Sequence, residues 1–592
     1  SSNLTLGYPI SINESSINCC ESCISKMGCS SQQHTGELCV VHITLFENNM
    51  IHLQTERASS EFFHLPIQLS LLESHNLYSF SDHSHMKHSI VIRPSSREVY
   101  HLLTNDRIHR DIWLTRLKNG CSRISRKVQC LTVRIGECRK ISTKDSFLYC
   151  DLAIDHEIRG LTGSLKKMST CSWREDFIFP DIPQISYGIS INIFTKGNKN
   201  DRESNYGHVF IPLEQLPLTT SLEENWYEIR KENNKHRTFA SLAGLGSAHA
   251  PLGDLRIGLL LQEHKVLPLE SYGPLMDVLK NFNHEMIYDM ARKTSDMQAL
   301  AKNLLRIYDG MGLALAWVKS LIDHEVDSLT LDDANILFRG NSFFTKVIDS
   351  YMKMTGKNFL EEALQPTIEK ICKAGLYIEV EPSRLSNTSE DETRDNCVEL
   401  FKNVRFIWKD VQKAKTKCPN QFRQMFGHLK SAIVKKFDLE KDTLERHHQV
   451  ARYTCVSGFV FLRWICPAII SPKQFDLVQD HPDTNTCRTL TLIAKCLMTL
   501  ASHITAEQNS KELWINQLNM FINNNTTNFT DFINHISITE EEQLIEEKSK
   551  QEDTPPTYFI DLPYELAQLT RWCNENCTEN YNIITQTCHL IK

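Results

Sequence analysis

Two arginines stand in sequence surroundings that suit chemistry performed by a guanidinium group. Arg339 follows Leu337 and Phe338 and precedes Gly340, just ahead of a predicted helix. Leu337 and Phe338 can anchor the loop in a core, and Gly340 permits an unusual backbone turn, so the pattern directs Arg339 outward from a tight loop. The planar fork of an arginine can bond two phosphate oxygens at once. For Arg339 alone, a solvated surface arginine is the plainer interpretation.

The second arginine, Arg463, lies in the segment CVSGFVFLRWICPAIISP. Val456, Phe459, Val460 and Arg463 recur at the spacing of one helix face, which places Arg463 on an apolar stripe, and Pro467 is expected to end the helix. A guanidinium on a buried face needs partners for its donors, and loop carbonyls are natural acceptors. The alternative is that Arg463 only ties two helices together.

The elements that must position these arginines are helices. An apolar period near 3.6 runs from Leu267 to about Ser537. Within it, a helix is predicted to begin at Ser342, an acceptable N-cap, and to end around Gly356. We assign residues 263–540 to one helical domain and residues 541–592 to a linker and a last helix around Tyr564 to Cys573.

The first half of the chain is β-rich. Residues 1–35 are polar and aperiodic, which predicts a loose tail. Residues 36–120 read as several short strands followed by one helix with Trp113, and they resemble a pleckstrin-homology (PH) domain. Residues 127–262 read as a β-sandwich that resembles a C2 domain. The fold class is therefore two β-rich domains followed by an all-α domain.

Composition limits the functions that remain. The formal net charge of −7 excludes a globally basic nucleic-acid binder. No phosphate-binding loop of the Gly-x-x-x-x-Gly-Lys-Ser/Thr type occurs, so no nucleotide site is visible. The candidate calcium loops of the C2-like region offer only Asp145 and Asp201, too few oxygens for a calcium site. Single cysteines inside apolar patterns indicate reduced thiols, and we predict a cytoplasmic protein.

Two motifs together carry a family resemblance. LFRGNS, then about 120 residues of helical pattern, then FLRWICPAIISP resembles the catalytic domain of Ras GTPase-activating proteins. The resemblance implies that Arg339 enters the active site of a partner GTPase as an arginine finger and that Arg463 holds the finger loop. Phe461, Leu462 and Arg463 match the Phe-Leu-Arg signature of the family, and Pro467 belongs to the same structural motif. The order PH-like, C2-like and helical resembles that of the family member with upstream SH2 and SH3 domains, and one other subfamily, which can also act on Rap, shares this order.

The resemblance also implies the partner surface. Leu337, Phe338, Gly340 and Leu462 are expected at the GTPase, and Lys495 matches a family position that docks there, although an exposed helix lysine is the alternative. The expected partner is a Ras-type small GTPase, and the resemblance leaves the choice between Ras and Rap open. GTP and magnesium would belong to that partner, so the chain itself needs no cofactor or metal.

Two alternatives remain open at this point. One is a scaffold that binds a GTPase without stimulating it. The other is docking of the PH-like and C2-like regions to an anionic membrane, such as the inner face of the plasma membrane. A separate observation is that residues 402–436 contain ten Lys/Arg and one acid, Asp410. This run predicts either a solvated helix face or a surface that complements an acidic partner or membrane.

Overall fold

The computed structural model describes most of the chain, and every structural statement below concerns these residues: 17–20, 38–45, 50–55, 64–68, 72, 76–83, 87–95, 98–104, 106–121, 125–142, 147–166, 171–183, 185–196, 203–216, 218, 221–231, 251–330, 337–381, 384, 390–439, 450–502, 513–538 and 558–576. They form two compact units whose main boundary lies between Tyr272 and Gly273. The first α-helix of the second unit begins at Gly273.

The first unit opens with an antiparallel sheet of seven strands and one helix. The strands are β1 (Ile17–Cys20), β2 (Leu38–Leu45), β3 (Met50–Thr55), β4 (His64–Gln68), β5 (Leu77–Ser79), β6 (Ser89–Ser95) and β7 (Glu98–Leu103), followed by α1 (Arg107–Cys121). Their order in the sheet is β4-β3-β2-β1-β7-β6-β5. The prediction of a loose tail over residues 1–35 is wrong at β1, because Asn18 and Cys19 pair with both β2 and β7.

Two further antiparallel sheets follow in the same unit. Their strands are β8 (Arg126–Arg139), β9 (Phe147–Ile154), β10 (Glu157–Leu161), β11 (Leu165–Lys166), β12 (Cys171–Ile182), β13 (Gly188–Lys196), β14 (Ser204–Pro212), β15 (Glu223–Ile229) and β16 (Gly253–Val266). One sheet has the order β10-β9-β13-β14 and the other β12-β8-β16-β15. Alternate residues such as Ile189, Ile191 and Ile193 are fully buried, which is the pattern of a sandwich core. The predicted β-sandwich is confirmed.

The second unit is helical, also as predicted. Its helices are α2 (Gly273–Lys280), α3 (His284–Lys293), α4 (Met297–Gly310), α5 (Ala314–Asp327), α6 (Phe343–Thr355), α7 (Lys357–Ala374), α8 (Glu390–Ala414), α9 (Asn420–Lys436), α10 (Ala451–Ser457), α11 (Cys466–Ile470), α12 (Thr484–Ala501) and α13 (Leu513–Ile536). Between α10 and α11 the chain continues as a π-helix, Gly458–Ile465. The last described helix is α14 (Leu562–Asn576), whose residues up to Ala567 are assigned to the first unit and the rest to the second; it covers the predicted C-terminal helix.

Aromatic side chains fix the helix that carries Arg463. The ring of Trp464 lies 5.8 Å from that of Phe359 and 5.4 Å from that of Phe422, between centroids. Gly356, between α6 and α7, has no room for a side chain, because a Cβ there would lie 2.5 Å from the Trp464 ring. The absence of a side chain at Gly356 therefore leaves space for the indole ring of Trp464. Together these contacts hold the helix that carries Arg463 in the core.

The stretch Ala451–Ile470 is long and apolar enough to cross a membrane by length and composition. Most of it is buried inside the protein, and it carries the charged Arg463. Both features are those of a core helix in the helical unit.

Four cysteines were predicted to be core thiols: Cys455, Cys466 and Cys496 are buried free thiols, whereas Cys372 is only half-buried. Burial raises the pKa of the Cys455 and Cys496 thiols to about 12, so both remain protonated near neutral pH. The candidate calcium ligands Asp145 and Asp201 lie outside the described residues.

Candidate functional site: a loop tip fixed by a buried arginine

The loop before α6 is anchored at both ends. Leu337 is buried, and the ring of Phe338 lies 5.2 Å from that of Phe344 and 5.4 Å from that of Phe459. At the other end, Ser342 caps α6 by accepting a hydrogen bond from the Thr345 amide at 3.2 Å. The predicted helix start and the predicted end at Gly356 are both observed.

The unusual backbone of this loop lies at Phe338 rather than at Gly340. Phe338 has φ of +54°, in the left-handed region that bulky residues seldom adopt. Gly340 is not among the described glycines with positive φ, and a Cβ built on it meets nothing within 4 Å. Our prediction that Gly340 permits the turn is therefore wrong. Such a conformation costs about 1–3 kcal/mol and persists only where the surroundings enforce it.

Arg463 supplies much of that enforcement. Its guanidinium donates to the Phe338 carbonyl from Nε at 3.2 Å and from Nη2 at 2.9 Å, and to the Arg339 carbonyl from Nη2 at 3.2 Å. Nη2 also donates to the carbonyl of Gly340, which accepts a second bond from Thr345 Oγ1. One side chain thus holds three consecutive loop carbonyls, the kind of acceptor that the sequence predicted for it.

Asp349, on α6, completes the surroundings of Arg463. Its Oδ2 lies 3.4 Å from Arg463 Nη1, and both side chains are only 15% exposed. Burial raises the pKa of Asp349, although Arg463 opposes this shift. Asp349 was not predicted from the sequence. The signal available was its position ten residues after Arg339, on the helix that follows the Arg339 loop.

Arg339 points away from this framework. The residue is exposed, and none of the described residues makes a hydrogen bond or an ion pair with its guanidinium. Its backbone carbonyl is held by Arg463 while its side chain stays available. The arrangement is a fixed backbone that presents an exposed cation.

The Phe-Leu-Arg segment lies in the π-helix, which differs from the regular helix we predicted. Phe461 is fully buried and packs against Phe529 at 5.2 Å, whereas Arg463 reaches the loop. Leu462, between Phe461 and Arg463 in the sequence, is half-buried. A π-helical turn admits an extra residue and changes the helix face, and such turns are frequent at functional sites.

Pro467 does not end this helix, contrary to our prediction. It lies in the first turn of α11, which continues to Ile470. The missing amide of Pro467 removes one backbone hydrogen bond, at the point where the π-helical pattern of Gly458–Ile465 changes to that of α11.

A shallow depression adjoins the loop. It is lined by Leu337, Arg339, Thr454, Ser457, Gly458, Leu462, Ala501 and Ser502. Ser457 Oγ donates to the Ala501 carbonyl at 2.8 Å, which ties the end of α10 to the end of α12. Leu462 and Arg339 therefore border one concave surface.

Lys495, on α12, belongs to an ion-pair network that the sequence analysis missed. Its Nζ lies 2.7 Å from Glu381 Oε1 and 5.0 Å from the centroid of the Trp514 ring. Arg488, two turns earlier, pairs with Glu381 at 2.8 Å and with the buried Glu379 at 2.8 Å. Lys495 remains half exposed. The available signal was the alternation of acidic and apolar residues in YIEVEP, residues 377–382, which places Glu379 and Glu381 on the same side of an extended segment.

In comparisons with known proteins, residues 317–502 match the family model "GTPase-activator protein for Ras-like GTPase". The chain is 36% identical over 285 residues to "Probable Ras GTPase-activating-like protein ngap" of Dictyostelium discoideum, covering 48% of the chain and 31% of that protein. It is 26% identical over 468 residues to "Ras GTPase-activating protein raskol" of Drosophila melanogaster, covering 76% and 28%. The chain thus spans about a third of the length of these relatives.

Among solved structures, the β-rich region is similar to a "C2 domain-containing protein from putative elicitor-responsive gene", at 18% identity and a TM-score of 0.17. That likeness covers 24% of the chain and 92% of the other protein. The assignment of a sandwich depends on the strand order and burial described above.

Proposed function

We propose that this chain, which belongs to the Ras GTPase-activating protein family, accelerates GTP hydrolysis by a Ras-type small GTPase by inserting Arg339 into the partner's active site. The matched family model supports a Ras-like GTPase as the partner. Rap is a second candidate substrate. The GTP and the magnesium ion would belong to the partner, and the chain would supply one side chain.

The observation that carries this proposal is the contrast between Arg339 and Arg463. The Arg339 guanidinium is exposed and lacks a partner among the described residues, while its own backbone is held by Arg463. A cation intended for another protein must be free of internal ion pairs yet fixed in place. Because the backbone of Arg339 is already fixed before the partner binds, part of the entropy cost of placing the charge in the transition state is removed.

The chemistry follows from charge. During phosphoryl transfer, negative charge is spread over the oxygens around the transferred phosphorus, and a donated guanidinium can neutralise it. The planar fork bonds two oxygens at once, which an ammonium group cannot do in the same geometry. For the well-studied pair of Ras and its activator the gain is about 10⁵-fold, and that pair sets the scale for a Ras-type partner here.

Neighbouring residues provide a docking surface for the partner. Leu462 and Leu337 line the depression beside Arg339, and the space over Gly340 is open. A side chain at residue 340 would extend into that space, where we place the GTPase. Lys495 would contact the partner either while it stays paired with Glu381 or by leaving Glu381 to pair with an acid of the partner.

A single-turnover assay tests the function. Ras loaded with GTP is mixed with the purified chain, and phosphate release is followed against Ras alone. Acceleration supports the proposal. Binding of Ras with an unchanged hydrolysis rate would replace it with the scaffold hypothesis, and the same assay with Rap decides the second substrate.

A further inference from the structure

Helix α8 buries one face and leaves the other exposed. Leu400, Phe401, Val404, Ile407, Trp408 and Val411 are almost completely buried. On the opposite face, Val398 is 55% exposed and Phe406 49% exposed. Exposed valine and phenylalanine side chains on a helix that already has a complete buried face contribute nothing to the core.

Basic side chains line the same exposed face. Lys402, Arg405, Lys409 and Lys413 are exposed, and together with Val398 and Phe406 they recur at three- and four-residue spacing. At the rise of an α-helix, Lys402 and Lys413 are about 16 Å apart along the axis. We call these six residues the α8 stripe.

The cations of the α8 stripe are largely uncompensated. Lys402 pairs with Glu399 at 3.0 Å. Within the described part of the chain, Arg405, Lys409 and Lys413 form no ion pair or side-chain hydrogen bond. The one acid of the surrounding run, Asp410, instead accepts a hydrogen bond from Thr367 Oγ1 on α7. Three adjacent positive charges therefore face away from the helical unit.

We propose that the α8 stripe docks on an anionic lipid surface, with the basic side chains at the headgroups and Phe406 inserted among them. Charge complementarity identifies the occupant, because each lysine or arginine near an acidic leaflet strengthens binding by about fivefold. The shape of the α8 stripe also favours a lipid surface, because one convex helix face fits a planar surface. A stable protein interface would need a contiguous apolar core, whereas the stripe offers only two separated apolar side chains.

Vesicle sedimentation of the whole chain tests this inference. The probes are phosphatidylcholine vesicles with and without phosphatidylserine. The test variant is the triple change Arg405→Gln, Lys409→Gln and Lys413→Gln. The matched control removes three exposed lysines from other helices, Lys280→Gln, Lys357→Gln and Lys373→Gln, which gives the same change in net charge.

We expect the wild-type chain to pellet with phosphatidylserine vesicles and to be released by salt, since the attraction is screened. The stripe variant should bind about a hundredfold more weakly, from about fivefold at each of three positions. The control variant should resemble the wild type. Phe406→Ser should weaken binding at low salt while leaving the salt dependence in place, because it removes insertion and no charge.

Equal binding by the stripe variant and the control would overturn the proposal, as would failure of the wild type to pellet with phosphatidylserine. Binding to soluble polyglutamate but not to vesicles would overturn the lipid assignment in favour of an acidic protein. Thermal unfolding of both triple variants checks that they fold. Stimulation of a soluble GTPase should be the same for both variants, so the inference can fail while the proposed function stands.

Discussion

The guanidinium of Arg463 holds the carbonyl of Phe338 with two donors, Nε at 3.2 Å and Nη2 at 2.9 Å, while Phe338 itself stands at φ +54°. The two residues are 125 positions apart in the sequence. Phe338 lies in the loop before α6 and Arg463 in the π-helix Gly458–Ile465, so the loop that carries Arg339 is fixed by tertiary contacts.

The first prediction concerns Arg463. Arg463→Ala should reduce stimulation of GTP hydrolysis by about tenfold to a hundredfold, because displacing a catalytic group by about 1 Å can cost about a hundredfold in rate. The reason is loss of order at residues 337–341, which hydrogen exchange of those amides measures. Arg463→Lys is the matched control, since it keeps the charge but lacks the planar fork.

Arg463→Lys should therefore resemble Arg463→Ala more than the wild type. If either variant lost stimulation while the exchange of residues 337–341 stayed as in the wild type, a positioning role for Arg463 would be contradicted.

The second prediction concerns Gly340. Gly340→Ala should leave thermal stability within about 0.5 kcal/mol of the wild type, because a Cβ there meets nothing within 4 Å and φ is not positive. The same change should weaken stimulation, because the added methyl group would extend toward the docked GTPase. Full stimulation by Gly340→Ala would place the partner elsewhere.

A third prediction tests packing in the helical unit. On α9, a Cβ at Gly427 would lie 1.8 Å from the Ile538 carbonyl oxygen, so Gly427→Ala must displace backbone. The expected loss of unfolding free energy is about 3 kcal/mol. Gly458→Ala is the control, since its nearest neighbour is the Leu337 carbonyl at 3.9 Å. Denaturant unfolding of both variants measures the difference, and equal stabilities would refute the contact.

The fourth prediction is a pH dependence from Glu379 and Glu381. Burial alone would raise the pKa of Glu379, but Arg488 outweighs it and the pKa is lowered; hydrogen bonding by Lys495 lowers the pKa of Glu381. A carboxyl whose pKa is lower in the folded chain binds protons more readily when unfolded. Its stabilisation is therefore complete above the ordinary value of 4.5 and is lost as the pH falls below it.

Arg488→Met should remove the part of this acid dependence that comes from Glu379, while Lys495 still lowers the pKa of Glu381. At neutral pH the variant should destabilise the unit by about 3 kcal/mol, because Glu379 is left as a buried charge without its partner. The double variant Arg488→Met, Glu379→Gln should recover part of that loss. Urea unfolding between pH 3 and 7 checks both points. An unchanged pH profile in Arg488→Met would contradict the coupling.

Much of this site could be predicted from the sequence because it depends on local patterns. The cap at Ser342, the end of α6 at Gly356 and the arginine of the Phe-Leu-Arg segment are all properties of short stretches. The apolar period also indicated the correct fold class. Each of these features is set by residues that are near one another in the chain.

The parts that were wrong or missed depend on long-range contacts. Phe338, and not Gly340, takes the left-handed conformation, because Arg463 and two aromatic rings stabilise a backbone that the residue type disfavours. Pro467 lies within a continuing helix, because a π-helical turn precedes it. A strand at Ile17–Cys20 was missed, because its two partners lie far away in the sequence.

The most direct test of the account is single-turnover GTP hydrolysis by Ras with the wild-type chain, with Arg339→Ala and with the matched loop variant Asn341→Ala, alongside a binding measurement for each. The account predicts that Arg339→Ala abolishes stimulation while binding is largely retained, and that Asn341→Ala retains stimulation. Stimulation by Arg339→Ala equal to that of the wild type would contradict the arginine-finger mechanism.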